Sequence, residues 1–165
     1  QAMGFAPKPG ETVLDIGCQS GSFLQYAYQQ TGGQGRFVGV EINEGYVECA
    51  RALARSCGMN ICYRQMDVVR EKAEFLKWIR AYMPMGVHHL ILASMEKHLN
   101  IFPLLDDIGA KRTYIETNAV AKDSGQGKEP EAPMKLLHEV AQRGGTHVGN
   151  SRDRNLRRLY RIEKK

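Results

Sequence analysis

The sequence lacks the features that mark several large classes of protein. No apolar run in its 165 residues approaches the ~20 residues that a membrane-spanning helix needs. The opening QAMGFAPKPG has neither the basic start nor the apolar centre of a signal peptide. The four cysteines form no C-x-x-C pair and no zinc-ligand spacing. These absences predict a cytoplasmic protein with no membrane partner, no metal ion and reduced core thiols at Cys18, Cys49, Cys57 and Cys62.

A strong excess of charge of one sign is also missing. The 23 Lys and Arg residues against 18 Asp and Glu residues give a net charge of +5, much of it in the tail SRDRNLRRLYRIEKK. Such a tail can contact phosphates, but so small a net charge argues only weakly for nucleic-acid binding. A solvated edge is our interpretation. The hydrophobic fraction of 42% is typical of a globular protein, and we expect one domain over residues 1–165.

Apolar runs alternate with amphipathic stretches along the chain. Five runs predict buried strands, with helices between them: VLDIG, RFVGVEIN, NICYRQMDV, VHHLILAS and KRTYIETNAV. The polar stretch AKDSGQGKEPEAP, residues 121–133, predicts a mobile loop before a last helix, MKLLHEVAQRGG. THVGNS and RNLRRLYRIEK then predict a closing antiparallel hairpin. The order indicates an α/β fold with a seven-stranded, mostly parallel, doubly wound sheet.

Polar residues stand at the carboxyl ends of the predicted strands. In parallel sheets, ligands bind outside these ends of the strands. The coincidence across five strands therefore predicts a ligand site along one edge of the sheet. The residues at these ends are Asp15, Glu41, Asp67, Ser94 and Glu116.

The first of these ends, VLDIGCQSGSF, indicates what kind of ligand binds. Gly17 and Gly21 allow the backbone to turn sharply and to approach a ligand closely. The helix that begins near Ser22 directs its unpaired N–H groups to the same place. Glu41, twenty residues after Gly21, is suited to accept hydrogen bonds from both hydroxyls of a ribose. The G-x-G-x-x-G dinucleotide pattern is absent, so the loop and acid predict an adenosine-containing cofactor without specifying which.

Three stretches together resemble a known family. VLDIGCQSGSF, FVGVEIN and MDV, in this order and spacing, are similar to the first three motifs of class I S-adenosylmethionine-dependent methyltransferases. The likeness extends over nearly the whole chain, because the reversed closing hairpin also belongs to that Rossmann-like fold. Gln19 occupies the position where the family usually has a further glycine. The resemblance implies S-adenosylmethionine as the cofactor and S-adenosylhomocysteine as the product.

The resemblance also implies a role for each motif residue. Asp15 would orient the loop near the methionine amino group, and Glu41 would hold the ribose hydroxyls. Ile42 would pack on the adenine, and Asp67 would accept from its amino group. Ser94 would flank the transferred methyl. The complete implied cofactor set is Asp15, Gly17, Cys18, Gln19, Ser20, Gly21, Phe23, Glu41, Ile42, Met66, Asp67, Val68 and Ser94.

The segment ASMEKHLN follows the fourth strand, where acceptor and methyl group should meet. His98 is the candidate general base because an imidazole titrates near neutral pH; a surface histidine is the alternative. Glu96 would assist it or face solvent. Glu116 and Asn118, at the end of the fifth strand, are candidate acceptor-binding residues, with Thr117 between them.

Two motifs of nucleic-acid methyltransferases are absent. The Asp/Asn-Pro-Pro-Tyr/Phe stretch of amino-methylating enzymes is replaced by SMEKHL, and no cysteine follows Cys62 to serve as a nucleophile. We therefore expect transfer to an O or N nucleophile of a small molecule. RNA methylation and an inactive module that binds the cofactor are the alternatives. The chain begins close to the first motif, so the N-terminal substrate-recognition segment is expected to be short or missing.

Overall fold

The computed structural model describes residues 4–93, 99–117, 131–150 and 158–165. Helices and strands alternate through most of these ranges, as the sequence predicts. In chain order they are β1 (Thr12–Ile16), α1 (Ser22–Gln30), β2 (Arg36–Glu41), α2 (Glu44–Ser56), β3 (Cys62–Gln65), α3 (Lys72–Tyr82), β4 (His89–Ala93), a 3₁₀ turn (Leu99–Ile101) that leads into α4 (Phe102–Ile108), β5 (Arg112–Thr117), α5 (Glu131–Gln142), β6 (Thr146–Asn150) and β7 (Arg158–Glu163).

The strands form one seven-stranded sheet in the order β3-β2-β1-β4-β5-β7-β6. The first five are parallel, and β7 pairs antiparallel with both β5 and β6. The order reverses next to β1, because β2 lies on one side of it and β4 on the other. The predicted fold class, including the closing hairpin, is confirmed.

The central strand β1 is buried on both faces, and its alternating side chains divide between two cores. Leu14 and Ile16 pack with the apolar sides of α3, α4 and α5. Val13 packs on the opposite face with α1 and α2. Asp15 points to the same face as Val13, since strand residues two apart share a face. A carboxylate is thereby placed within an apolar layer.

The N-terminal segment is anchored at the amino ends of the strands by a buried histidine. His89 Nε2 lies 2.6 Å from Glu11 Oε2, and its Nδ1 lies 3.2 Å from the Tyr114 hydroxyl. Burial lowers the pKa of His89, although its hydrogen bond to the Glu11 carboxylate opposes this effect. Phe5 packs against the His89 and Tyr114 rings at 5.6 and 5.3 Å.

Three details predicted from the sequence are wrong. The helical spacing of this stretch predicts Leu53 on the inner face of α2 with Val47, Ala50 and Ala54. Those three residues are buried, but Leu53 is 42% exposed. Cys49 and Cys57 are exposed, so they are not core thiols. The range expected for the mobile loop, 121–133, overlaps a helix, because α5 begins at Glu131. A proline in the first helical turn is tolerated there because the first N–H groups have no partner within the helix.

Gly39 provides a test of this packing. A Cβ at Gly39 would lie 2.7 Å from Tyr63 Cδ1 and 2.8 Å from both Cys18 Sγ and Leu24 Cδ1. Gly39→Ala should therefore lower the free energy of unfolding, measured in urea, by about 1–3 kcal/mol. Gly45→Ala, on the exposed first turn of α2, is the control and should change it by less than about 1 kcal/mol. Equal effects of the two substitutions would contradict the close packing at Gly39.

Candidate functional site

A cavity of about 400 Å³ opens where β1, β2 and β3 end, beside the point at which the strand order reverses. Its size falls within the range of roughly 300–1,000 Å³ that is usual for ligand pockets. The lining mixes apolar side chains with a few polar groups. The lining residues are Ile16, Gly17, Gln19, Val40, Glu41, Ile42, Tyr46, Met66, Asp67, Val68, Val69, Arg70, Ala93 and Asn100.

Glu41, the last residue of β2, carries a carboxylate that is held firmly in the cavity wall. Its Oε2 accepts a hydrogen bond from Gln19 N at 3.0 Å. Its Oε1 accepts from Ile42 N at 2.9 Å and from Asn43 N at 3.1 Å. The side chain is 8% exposed. Because each carboxylate oxygen has more than one acceptor site, this group can take further hydrogen bonds from a ligand in the cavity.

The glycine-containing loop between β1 and α1 is bound to the end of β2. Gly17 N and Cys18 N both donate to Val40 O, at 2.9 and 3.1 Å, and Gly21 N donates to Cys18 O at 2.8 Å. Gln19 has a φ of +49°, a left-handed conformation that favours glycine. The family pattern has a glycine at this position, which agrees with the backbone found here. Gln19 therefore adopts the backbone conformation that a glycine would favour at this position.

Asp15 lies beneath this loop with no partner within the described ranges. Both carboxylate oxygens are buried and make no hydrogen bond there, and the residue is 1% exposed. Burial, with the nearby carboxylates of Glu41 and Glu116, raises the pKa of Asp15 to about 8. A buried carboxyl without a partner is costly, so this position is suited to receive a cation or a hydrogen-bond donor.

The far end of the cavity is formed by the turn after β3. Asp67 Oδ1 accepts hydrogen bonds from Val69 N and Arg70 N, both at 3.1 Å, and Asp67 N donates to Glu71 Oε2 at 2.9 Å. These bonds fix the turn that leads into α3. Asp67 thus lies at the cavity with a defined orientation.

Apolar side chains also line this end of the cavity. Those of Met66 and Val68 are buried, and that of Ile42 is 62% exposed. Apolar side chains of this kind are suited to contact an aromatic ring.

The predicted site residues fall into three groups. The first group lines the cavity: Gly17, Gln19, Glu41, Ile42, Met66, Asp67 and Val68. The second does not line the cavity: Asp15, Cys18, Ser20, Gly21 and Phe23, of which Phe23 packs against Phe5 with ring centroids 6.5 Å apart. The third lies outside the described residues: Ser94, Glu96, His98 and Asn118.

Glu116 belongs to none of these groups. It is buried at the carboxyl end of β5 and contributes to the raised pKa of Asp15, but it does not line the cavity. It is therefore close enough to act on the site electrostatically.

Sequence reasoning missed seven lining residues, namely Ile16, Val40, Tyr46, Val69, Arg70, Ala93 and Asn100. Tyr46 had a signal, because it stands in the first turn of the helix that follows Glu41. Val69 and Arg70 come within three residues of Asp67 in the sequence, so the turn that begins at Asp67 was their signal. Asn100 had none, since it returns to the cavity from the 3₁₀ turn after β4.

Metal and membrane features are not found in the described part of the chain. Among those residues, no group of three or more His, Cys, Asp or Glu side chains is arranged to hold a metal ion. Within the same ranges, no helix has the length and apolar character needed to cross a bilayer.

The comparisons with known proteins agree with this geometry. A family model described as "Methyltransferase domain" matches residues 13–100, more than half of the chain. The chain belongs to the class I S-adenosylmethionine-dependent methyltransferase family. The matched range contains β1, β2 and β3, whose carboxyl ends surround the cavity.

Individual relatives match shorter pieces of sequence. Aklanonic acid methyltransferase DauC of Streptomyces sp. (strain C5) is 44% identical over 62 residues, 37% of this chain and 28% of DauC. Ribosomal RNA large subunit methyltransferase E of Desulfatibacillum aliphaticivorans is 49% identical over 35 residues, 21% of this chain and 17% of that protein. The chain thus spans less than a third of the length of these curated relatives.

A solved structure extends the similarity of fold to the whole chain. A SAM-dependent methyltransferase from Aquifex aeolicus superposes with a TM-score of 0.63 at 17% identity. The match covers 93% of this chain and 82% of that one. At this identity the likeness concerns the fold.

The unpartnered Asp15 makes a test of the site possible without a ligand. Between about pH 4 and pH 8 the folded protein holds a proton on Asp15 that the unfolded chain has released, so stability falls as the pH rises. Asp15→Asn should therefore raise the free energy of unfolding. The gain should grow across this window, by at most about 1.4 kcal/mol per pH unit, and stay constant above it.

Urea unfolding at several pH values measures this gain. Glu48→Gln, on the exposed surface of α2, is the control and should reproduce the wild-type pH dependence. An Asp15→Asn gain that is the same at pH 5 and pH 9 would mean that the Asp15 carboxyl has a partner.

Proposed function

We propose that the cavity binds S-adenosylmethionine and that the protein transfers its methyl group to an O or N nucleophile of a small molecule. The observation that carries the proposal is the Glu41 carboxylate, fixed in the cavity wall by three backbone N–H groups at the end of β2. In this position it accepts hydrogen bonds from the two ribose hydroxyls of an adenosine.

The rest of the cavity fits the other parts of the same cofactor. The adenine lies between Ile42 and the side chains of Met66 and Val68, with Asp67 beside its amino group. The methionine portion lies against the loop that begins at Gly17. Its ammonium group is directed toward Asp15, whose two oxygens make no hydrogen bond within the described ranges.

Charge favours this cofactor over a dinucleotide. S-Adenosylmethionine carries a sulfonium and an ammonium cation. Two carboxylates, Glu41 and Glu116, lie near its site, together with the Asp15 carboxyl, whose charged form a nearby cation would favour. These groups attract a cationic ligand and repel a pyrophosphate. The same field disfavours nicotinamide and flavin dinucleotides, in agreement with the absent G-x-G-x-x-G pattern.

When bound, S-adenosylmethionine supplies a methyl carbon that is already activated by the sulfonium. The acceptor oxygen or nitrogen forms a bond to this carbon as the carbon–sulfur bond breaks, and the electron pair of that bond remains on sulfur in S-adenosylhomocysteine. We propose that His98 takes the proton of the nucleophile, with Glu96 assisting it. Glu116 and Asn118 would bind the acceptor, and Ser94 would flank the methyl group.

A small-molecule acceptor is supported by the 62-residue match to a methyltransferase named for aklanonic acid. RNA is the second candidate, and two observations favour it. A 35-residue match leads to a ribosomal RNA methyltransferase, and the net charge of the chain is +5. The missing nucleic-acid motifs and the modest charge make the small molecule our choice.

The Glu41 role is tested by isothermal titration calorimetry with S-adenosylmethionine and S-adenosylhomocysteine. Glu41→Gln should weaken binding of both by roughly tenfold or more, because a charged acceptor is lost from hydrogen bonds to the ribose. Glu44→Gln, an exposed change in the first turn of α2, should leave both affinities unchanged. If the wild type binds NAD and neither of these ligands, the proposed cofactor is wrong.

The acceptor is tested with methyl-labelled cofactor and cell extracts separated into small-molecule, RNA and protein fractions. We expect label in the small-molecule fraction, and His98→Ala should reduce its rate of incorporation by about 100-fold or more. Label in the RNA fraction would contradict a small-molecule acceptor and support RNA methylation, the second candidate. No label in any fraction from a protein that binds the cofactor would indicate an inactive binding module.

A further inference from the structure

Tyr63, on β3, has a side chain that extends across the neighbouring strand. Tyr63 is opposite Gly39 in the β2–β3 register, and Gly39 is opposite Asp15 in the β1–β2 register. Because Gly39 has no side chain, the tyrosine ring passes over it; a Cβ there would lie 2.7 Å from Tyr63 Cδ1. The buried ring therefore reaches from the edge of the parallel strands toward the loop that follows β1.

The end of this side chain lies directly beneath the glycine loop. The Tyr63 hydroxyl is 3.5 Å from Gly21 O, and a Cβ at Gly21 would overlap it. The Gln25 side chain lies beside the Tyr63 hydroxyl, and its Nε2 donates to Ser20 O at 3.2 Å. Two consecutive carbonyls of the loop thus contact two neighbouring side chains.

Tyr63 is itself held from the other side. Arg51, on α2, donates from Nε and Nη2 to Tyr63 O at 3.1 and 2.8 Å. This fork fixes the backbone from which the ring extends. The loop consequently rests on a side chain whose own position is determined by the adjacent helix.

We propose that Tyr63 and Gln25 are positioning residues that hold the Gly17–Gly21 loop in the shape that contacts the methionine portion of the cofactor. This inference rests on the proposed function. Neither side chain lines the cavity, so both act through the loop backbone. Their effect should be confined to the part of the ligand that the loop touches, while the adenosine part depends on Glu41 and Asp67.

Two ligands distinguish this role from a general effect on the site. S-Adenosylhomocysteine carries the amino-acid portion, whereas 5′-methylthioadenosine has the same adenosine and thioether without it. Tyr63→Phe should weaken binding of S-adenosylhomocysteine by roughly three- to tenfold and leave the affinity for 5′-methylthioadenosine unchanged, as measured by calorimetry.

A matched control exists at the other end of α1. The ring of Tyr28 lies beneath Gly33 as that of Tyr63 lies beneath Gly21. Tyr28→Phe removes the same hydroxyl away from the cavity and should change neither affinity. Gln25→Met, in the first turn of α1 beside the loop, should repeat the effect of Tyr63→Phe, and Gln29→Met, exposed and one turn farther from the loop, should not.

Hydrogen exchange gives a readout that needs no ligand. In the cofactor-free protein, the amides of Gln19 to Ser22 should exchange faster in Tyr63→Phe than in Tyr28→Phe. Equal exchange in both variants, or equal weakening of the two ligands by Tyr63→Phe, would overturn the positioning role. If the wild type binds neither ligand, the proposed function fails instead, and the two failures are therefore distinguishable.

Discussion

The site depends on a set of backbone hydrogen bonds to one carboxylate. Glu41 joins the end of β2 to the loop after β1. Its Oε2 accepts from Gln19 N, and its Oε1 accepts from Ile42 N and Asn43 N. This carboxylate adds a side-chain link at the cavity to the backbone bonds that Gly17 N and Cys18 N make to Val40 O. The same group is the one we assign to the ribose, so structure and binding rest on a single side chain.

A second constraint follows from the acidic groups that are buried together beneath the loop. Burial, with the nearby carboxylates of Glu41 and Glu116, raises the pKa of Asp15 to about 8. The protein keeps a costly arrangement in its core, and a cationic ligand would relieve that cost. Buried ionisable groups with strongly shifted pKa values are common at functional sites, where they lower the local stability.

Much of the fold was predictable because the sequence pattern is strong where burial is complete. The strands β1 to β5 fall within the short apolar runs of the sequence. Asn43, a residue type that favours helix N-caps, caps α2 and accepts from Tyr46 N at 3.3 Å. Prediction failed where only tertiary context decides. Leu53 fits the helical period of α2 but is 42% exposed. Cys49 and Cys57 lie in or beside apolar stretches of the sequence, yet both residues are exposed.

The candidate site was predictable at strand ends and less so elsewhere. Glycines and acids identified Gly17, Glu41 and Asp67 because their types suit a turn and a ligand at the sheet edge. The sequence predicts Tyr63 only as part of a strand, because no local pattern indicates that its ring crosses β2 to reach Gly21. That contact depends on Gly39 lying opposite it, which only strand pairing determines.

The most direct test of the central claim is a crystal structure of the protein with S-adenosylhomocysteine. We predict both ribose hydroxyl oxygens at hydrogen-bond distance, about 2.5–3.0 Å, from the Glu41 carboxylate, with the amino-acid portion over the loop at Gly17. A ribose that lies outside the cavity, with Glu41 still bonded only to the three backbone N–H groups, would contradict the account.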